Sequence, residues 1–325
     1  EPGEILVSEA VKEKCEEGYE FAGPRSVEAK GKTEPIVAYA VRGESSGALR
    51  GSGPFVGRRE LLDEMLKAYL RNRYDEVSGF FLAGDAGSGK SRLLQAFVEK
   101  IRLFPDFSTP ILQARAQKFR PGGFSVVVDM LLGCLGLGPG ADRAQARAAL
   151  AALPEVKEAQ AERFVRLVCC RDEEEPPAPA SGARPAGGLP EGPGSAIGAL
   201  YDVFDAVLER HSQDLFPILV CIDNANLMDR QSREFFQYFF RTGRVKPFFL
   251  LAGRDFPPEL RRAFQGVKPL RLPPLAKEES EALVRALWPD APAEALARVL
   301  EAGMGNPLFL REYAAGRTPN PCVLC

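Results

Sequence analysis

Any strong imbalance of charge is missing from this chain. Its 325 residues carry 42 Lys+Arg against 44 Asp+Glu, a formal net charge of −2. No global basic field is available to gather nucleic acid or an anionic membrane, so neither is an expected partner. Long hydrophobic runs are also missing. The longest apolar stretch, Phe124 to Leu137, is short and interrupted by Asp129, which excludes a transmembrane helix. The first residues show no basic-then-apolar signal pattern, and a cytoplasmic location is the expectation. Histidine occurs once and cysteine seven times, an odd number without a spaced framework. That fits reduced thiols rather than a disulfide scaffold. Cys169 with Cys170 and Cys322 with Cys325 hold four thiolates between them, but no His stands near either pair, and no zinc site is expected.

What is present is enough apolar material for about two folded domains, since 45% of the residues are hydrophobic. Within it, Gly84-Asp85-Ala86-Gly87-Ser88-Gly89-Lys90-Ser91 completes the pattern G-x-x-x-x-G-K-S/T. An apolar run at residues 79–83 precedes it and a helical pattern at 92–98 follows. The glycines let the backbone curl so that several N–H groups point at one phosphate. The helix opening at Lys90 adds its positive end, Lys90 reaches the β- and γ-phosphates, and the Ser91 hydroxyl can ligate Mg²⁺. All eight residues are candidate ligands of a nucleoside triphosphate.

A second apolar run, Phe216 to Asp223, reads as a buried parallel strand ending in a carboxylate. Ligands of open α/β sheets sit at the carboxyl ends of strands, so Asp223 is the candidate metal-side acid beside Ser91. Asn224 follows, and an amide can orient a water molecule but cannot take its proton. Hydrolysis limited by water activation is the consequence. Asp229, six residues after Asp223, is a possible substitute acid, although a helix cap is the stronger expectation for it. Residues 246–254 form another buried-strand pattern, ending in Arg254.

Phe55-Val56-Gly57-Arg58, about 25 residues before the loop, resembles the entry segment of AAA-like signalling ATPases of the STAND group. Leu270 to Leu275 and the helical pattern from Lys277 resemble that group's last core strand and lid, and Gly305-Asn306-Pro307-Leu308 resembles its Gly-x-Pro-Leu element. The resemblance implies ATP and Mg²⁺ as cofactors. It places Arg58 and Pro307 beside the nucleotide, gives Arg254 a γ-phosphate-sensing role, and assigns Lys90, Asp223, Asn224 and Arg254 to catalysis. The group usually has a second acid where this chain has Asn224.

Residues 1–43 read as a small βαββ piece and resemble the last elements of a class III nucleotide cyclase domain. None of that family's metal-binding or base-reading residues falls in this segment, so no cyclase activity is expected. Residue 1 is Glu and the pattern begins in mid-stride, so the chain is expected to be a piece of a longer one with a cyclase domain upstream. The resemblances together imply an ATP-dependent switch, and self-association or a protein partner is compatible with it. Residues 44–53 are a Ser/Gly-rich linker, and residues 171–196, rich in Pro, Ala and Gly, read as a disordered insertion. Residues 316–325 resemble the Thr-Pro-Asn-Pro-Cys segment of tRNA 2-thiouridylases, which would make nucleic acid a partner only if the tail is a true fusion. The expected fold is α/β: a parallel-sheet P-loop NTPase core over 54–272 with a helical lid over 273–315, preceded by the small α+β remnant.

Overall fold

The computed structural model describes residues 5–15, 19–27, 36–44, 53–71, 78–105, 107–117, 123–138, 141–153, 155–169, 196–211, 214, 216–243 and 245–316. The proposed insertion (except residue 196), the thiouridylase-like tail beyond residue 316 and most of the 44–53 linker lie outside them. The chain divides into two compact units, Glu1–Gly47 and Ala48–Cys325.

In the first unit, β1 (Leu6–Ser8), α1 (Glu9–Cys15), β2 (Tyr19–Val27) and β3 (Ile36–Glu44) form an antiparallel sheet in the order β1-β3-β2 with one helix. Side chains of β3 alternate between faces, which buries Ala38 and Ala40 and leaves Tyr39 between them partly exposed. The Tyr39 hydroxyl donates to Glu9 at 3.4 Å and Lys12 lies 4.9 Å from the ring centroid, so α1 is held to the central strand. The sequence suggests two short strand segments, at 19–21 and 27–29. The structure has instead one continuous strand, β2, with two shifts of register against β3. The second shift falls at Gly23 and Pro24, where proline has no N–H to give to a ladder; residues 28–29 lie outside the described set.

The second unit opens with α2 (Arg59–Arg71), whose Leu62, Met65, Leu66 and Tyr69 fall at helical spacing and are buried. Then come β4 (Gly79–Ala83), α3 (Lys90–Arg102), β5 (Ile111–Arg115) and four helices, α4 (Ser125–Cys134), α5 (Arg143–Ala151), α6 (Glu158–Cys169) and α7 (Ala196–Arg210). They lead to β6 (Leu219–Asp223), α8 (Arg230–Thr242), β7 (Phe248–Gly253), α9 (Pro258–Ala263) and β8 (Val267–Arg271). The last three helices are α10 (Lys277–Leu287), α11 (Ala293–Gly303) and α12 (Pro307–Ala314).

The five strands are all parallel, in the order β5-β6-β7-β4-β8. The protein is thus of the α/β class. Period two sends Phe80, Leu82, Cys221, Phe248 and Leu250 to one face, under α2 and α3, and Phe81, Val220, Ile222, Phe249 and Leu251 to the other, under α4 and α6–α9. Helices on both faces explain why these strands read as unbroken apolar runs. Tyr69 closes the first face: its ring meets Phe97 and Phe248 edge-on and its hydroxyl donates to the Pro217 carbonyl at 2.6 Å. The other face is dominated by phenylalanine, with Phe204, Phe235, Phe236, Phe239, Phe249 and Phe264 in contact. Helices α10–α12 share a smaller core of Leu275, Leu283, Val284, Leu296, Val299 and Leu310, with Val56 packed against it. Because all five strands run the same way, the C-terminal ends of β4, β6 and β7 open on one edge of the sheet.

Candidate functional site

Strand β4 delivers the glycine loop to that edge. Gly87 and Gly89 adopt φ values of 77° and 88°, in the left-handed region open to glycine, and Gly89 precedes the first turn of α3. The Lys90 ammonium curls back over the loop and donates to the carbonyls of Gly84 at 2.8 Å and Asp85 at 2.7 Å. Burial pushes its pKa below the ordinary lysine value; Asp223 and Asp85 oppose this, and Arg254 and Arg58 add to it.

Across the edge, the Ser91 hydroxyl donates to Asp223 Oδ2 at 2.7 Å, and Asp223 Oδ1 accepts the Asn224 N–H at 2.9 Å. Asp223 is buried at the end of β6. Asn224 is left-handed, with φ 53°. The Arg254 peptide is clamped at the end of β7, its N–H donating to Asn226 Oδ1 at 3.3 Å and its carbonyl accepting from Gly84 N–H at 3.2 Å.

A cavity of about 400 Å³ lies against these groups. The loop side is lined by Ala86, Gly87, Gly89, Lys90 and Ser91, with Asn224 beside them. The apolar part of the lining is formed by Phe55, Val56, Leu275, Leu283, Pro307 and Leu308, and Arg58 and Arg311 also line the cavity. Of the residues singled out in the sequence, Arg58, Ala86, Gly87, Gly89, Lys90, Ser91, Asn224 and Pro307 line the cavity. Gly84 and Asp85 accept from Lys90 and Ser88 accepts from Arg58, and Asp223 reaches the site through Ser91. The Arg254 side chain is exposed and does not line the cavity.

The structure answers the question of Asp229. Its Oδ1 accepts from Ser232 N–H at 2.8 Å and Phe124 N–H at 3.2 Å, and its Oδ2 accepts from Ser125 N–H and from the hydroxyls of Ser125 and Ser232. Burial works to raise its pKa, yet these bonds together hold it below the ordinary value. Asp229 is the N-cap of α8 and a clasp on the first turn of α4, with both oxygens committed. The helix cap expected of it is the role these bonds give it.

Sequence reasoning missed Glu279, Asn306 and Arg311. Arg58 donates through its guanidinium to the Ser88 carbonyl at 2.6 Å and the Pro273 carbonyl at 2.9 Å, and through its backbone N–H to Glu279 at 2.7 Å. The Asn306 amide donates to the Ala86 carbonyl at 3.0 Å, and Leu308 N–H donates to the Gly87 carbonyl at 3.3 Å. The start of α12 thus sits on the glycine loop. One signal was available: Arg311 lies four residues after Pro307 in one helix, so both fall on one face.

A nucleoside triphosphate with magnesium fits these residues. The loop residues Ala86, Gly87, Gly89 and Lys90, two of them left-handed glycines, border the cavity. The Ser91–Asp223 oxygen pair is the donor set that Mg²⁺, which keeps several of its waters, takes from proteins. The buried Arg58 Nε has no acceptor among the described residues. Among those residues no group of three His, Cys, Asp or Glu is gathered to hold a metal, and no helix is long and apolar enough to cross a membrane. Cys170, Cys322 and Cys325 lie outside the described set.

Among solved structures, the chain is similar to Cdc6p from Pyrobaculum aerophilum, at 13% identity over 84% of this chain and 68% of that one, with a TM-score of 0.46. It is also similar to a Signal Transduction ATPase with Numerous Domains (STAND) protein with a tetratricopeptide repeat sensor from Pyrococcus horikoshii, at 16% identity and a TM-score of 0.43. A third is the RuvB Holliday junction branch migration motor of Thermotoga maritima, at 13% identity and a TM-score of 0.41. The chain covers 85% of its own length but 32% of the other chain in the STAND comparison, and 82% and 64% in the RuvB comparison. No curated protein matches it. The AAA ATPase domain family matches residues 54–251, from the segment before the glycine loop to the strand after Asp223, and the chain belongs to that family.

Proposed function

We propose that this chain binds ATP with Mg²⁺ between its parallel-sheet core and the α10–α12 lid, hydrolyses it slowly, and serves as a nucleotide-dependent switch in a cyclase-linked signalling protein. The observation that carries the reading is the Ser91–Asp223 pair at 2.7 Å, with Ser91 and Lys90 lining a cavity that residues of α10 and α12 also line. In this reading the loop amides and Lys90 hold the phosphates, while Phe55, Val56, Leu275 and Leu283 exclude water from the base. Bound magnesium would neutralise phosphate charge. Asn224 lines the cavity and orients a water without taking its proton.

The link to a cyclase rests on the resemblance of residues 1–43, and the STAND-type assignment on the ordered motifs from Phe55 to Leu308. A switch without turnover is the second reading, favoured by the amide at Asn224. Titration of the chain with ATP, with and without Mg²⁺, tests the site. Lys90→Ala should weaken binding more than tenfold, about 1.4 kcal/mol. Unchanged affinity in that variant would sink the nucleotide-site reading, and a single-turnover assay on the wild type separates slow hydrolysis from none.

A further inference from the structure

We infer that Glu279, on the first turn of the lid helix α10, is a positioning residue for the nucleotide site and acts through Arg58. The inference rests on the ATP-site reading. Arg58 stands in a left-handed conformation at φ 53°, a costly one for a residue with a Cβ. Something must hold it there, and Glu279 does: its Oε1 accepts the Arg58 backbone N–H at 2.7 Å, across 221 residues of sequence. Its other oxygen accepts the Ala276 N–H at 3.0 Å, which fixes the carboxylate to the start of α10.

The approach is close enough to specify glycine at the neighbouring position. A Cβ on Gly57 would lie 2.5 Å from Glu279 Oε1, and Gly57 is itself at φ 78°. Held in this way, the guanidinium straddles the Ser88 carbonyl of the glycine loop and the Pro273 carbonyl where the lid begins. Its Nε is buried with no acceptor among the described residues, and Arg58 lines the cavity. Glu279 therefore sets the place of a cation that touches the loop, the lid and the cavity together, although it does not line the cavity itself.

A role as plain helix cap predicts a different result from a role through Arg58, and a double-mutant cycle on ATP affinity separates them. Glu279→Ala should raise the ATP Kd about tenfold in the wild-type background and less than twofold in the Arg58→Ala background. Equal losses in both backgrounds, or none in either, would overturn the inference. Should the alanine variant lose its cooperative melting transition, Glu279→Gln carries the same cycle. It keeps the length and one acceptor, and its expected loss is about threefold with Arg58 present and none without it. The wild-type titration is read first: a chain that does not bind ATP overturns the site reading and this inference with it, whereas a chain that binds ATP and shows an additive cycle overturns the inference alone.

Discussion

Two strand ends that face the cavity turn the backbone into the same left-handed region with different residues. After β4 the turning residues are Gly87 and Gly89; after β6 the turning residue is Asn224. The glycines meet the left-handed φ without strain, and at Gly87 there is also little room for more. A Cβ on Gly87 would stand 2.6 Å from Leu308 Cβ, and one on Gly89 3.2 Å from the Arg58 guanidinium. At Asn224 the side chain is kept, and the residue lines the cavity. Asparagine and aspartate are the side-chain-bearing residues that tolerate this conformation best, through their short polar groups. The loop is built for close backbone approach, and the β6 turn for placing one polar group. The chemistry of that group is therefore open to change at small conformational cost.

The largest expected effect tests this directly. Asn224→Asp keeps the backbone preference and adds a carboxylate that can accept a proton from water. Positioned bases contribute about 10²–10⁴-fold, so single-turnover ATP hydrolysis should rise within that range while ATP affinity stays within about threefold, roughly 0.7 kcal/mol. Asn224→Glu should gain less, since a longer side chain pays about 1–2 kcal/mol in the left-handed region. An Asp variant no faster than wild type would show that water activation is not the bottleneck.

How readily each part of the site could be read from sequence follows from the same contrast. The glycine loop is eight consecutive residues bounded by a strand and a helix, so its pattern and context stand in one stretch of text. Asp223 was legible because an apolar run ends on it. The clasp of Glu279 on Arg58 was not, because the two are 221 residues apart and only the folded chain joins them. Asp229 was half legible: a cap on α8 follows from its place before a helix, whereas its grip on Phe124 and Ser125 crosses more than a hundred residues. In the first unit, strand alternation was visible but the register shifts that make β2 a single element were not.

Asp229 gives the next effect in size. Its carboxylate sits below the ordinary value of 3.8, so the stability it contributes is present above about pH 4 and is lost as the pH falls through the lowered value. Asp229→Asn should cost about 1–3 kcal/mol at pH 7, the range for an unsatisfied buried hydrogen-bonding group. It should also flatten the acid side of the stability profile, measured by urea unfolding between pH 3 and pH 7. A variant as stable as wild type with an unchanged acid limb would show that the clasp on α4 and α8 contributes nothing. Within the comparison of the two turns, the substitution acts on the starts of α4 and α8 and touches no residue of the glycine loop.

The smallest effect returns to the turn itself. Asn224→Gly relieves the left-handed strain but frees the unfolded chain, two contributions of opposite sign and each about 1 kcal/mol or less. Thermal unfolding should therefore move little, while any hydrolysis the wild type shows should fall. A large loss of stability would mean that the Asn224 side chain holds the turn together and that the turn is not simply a platform for it.

The seat of α12 on the glycine loop has a mechanical consequence. Seven steps at a rise of 1.5 Å each put Ala314 about 10.5 Å from Pro307. The near end is pinned to Ala86 and Gly87 by two hydrogen bonds. A torque applied to the far end of this short rod is delivered to the backbone of the glycine loop, and any tightening of the loop is returned along the same load path.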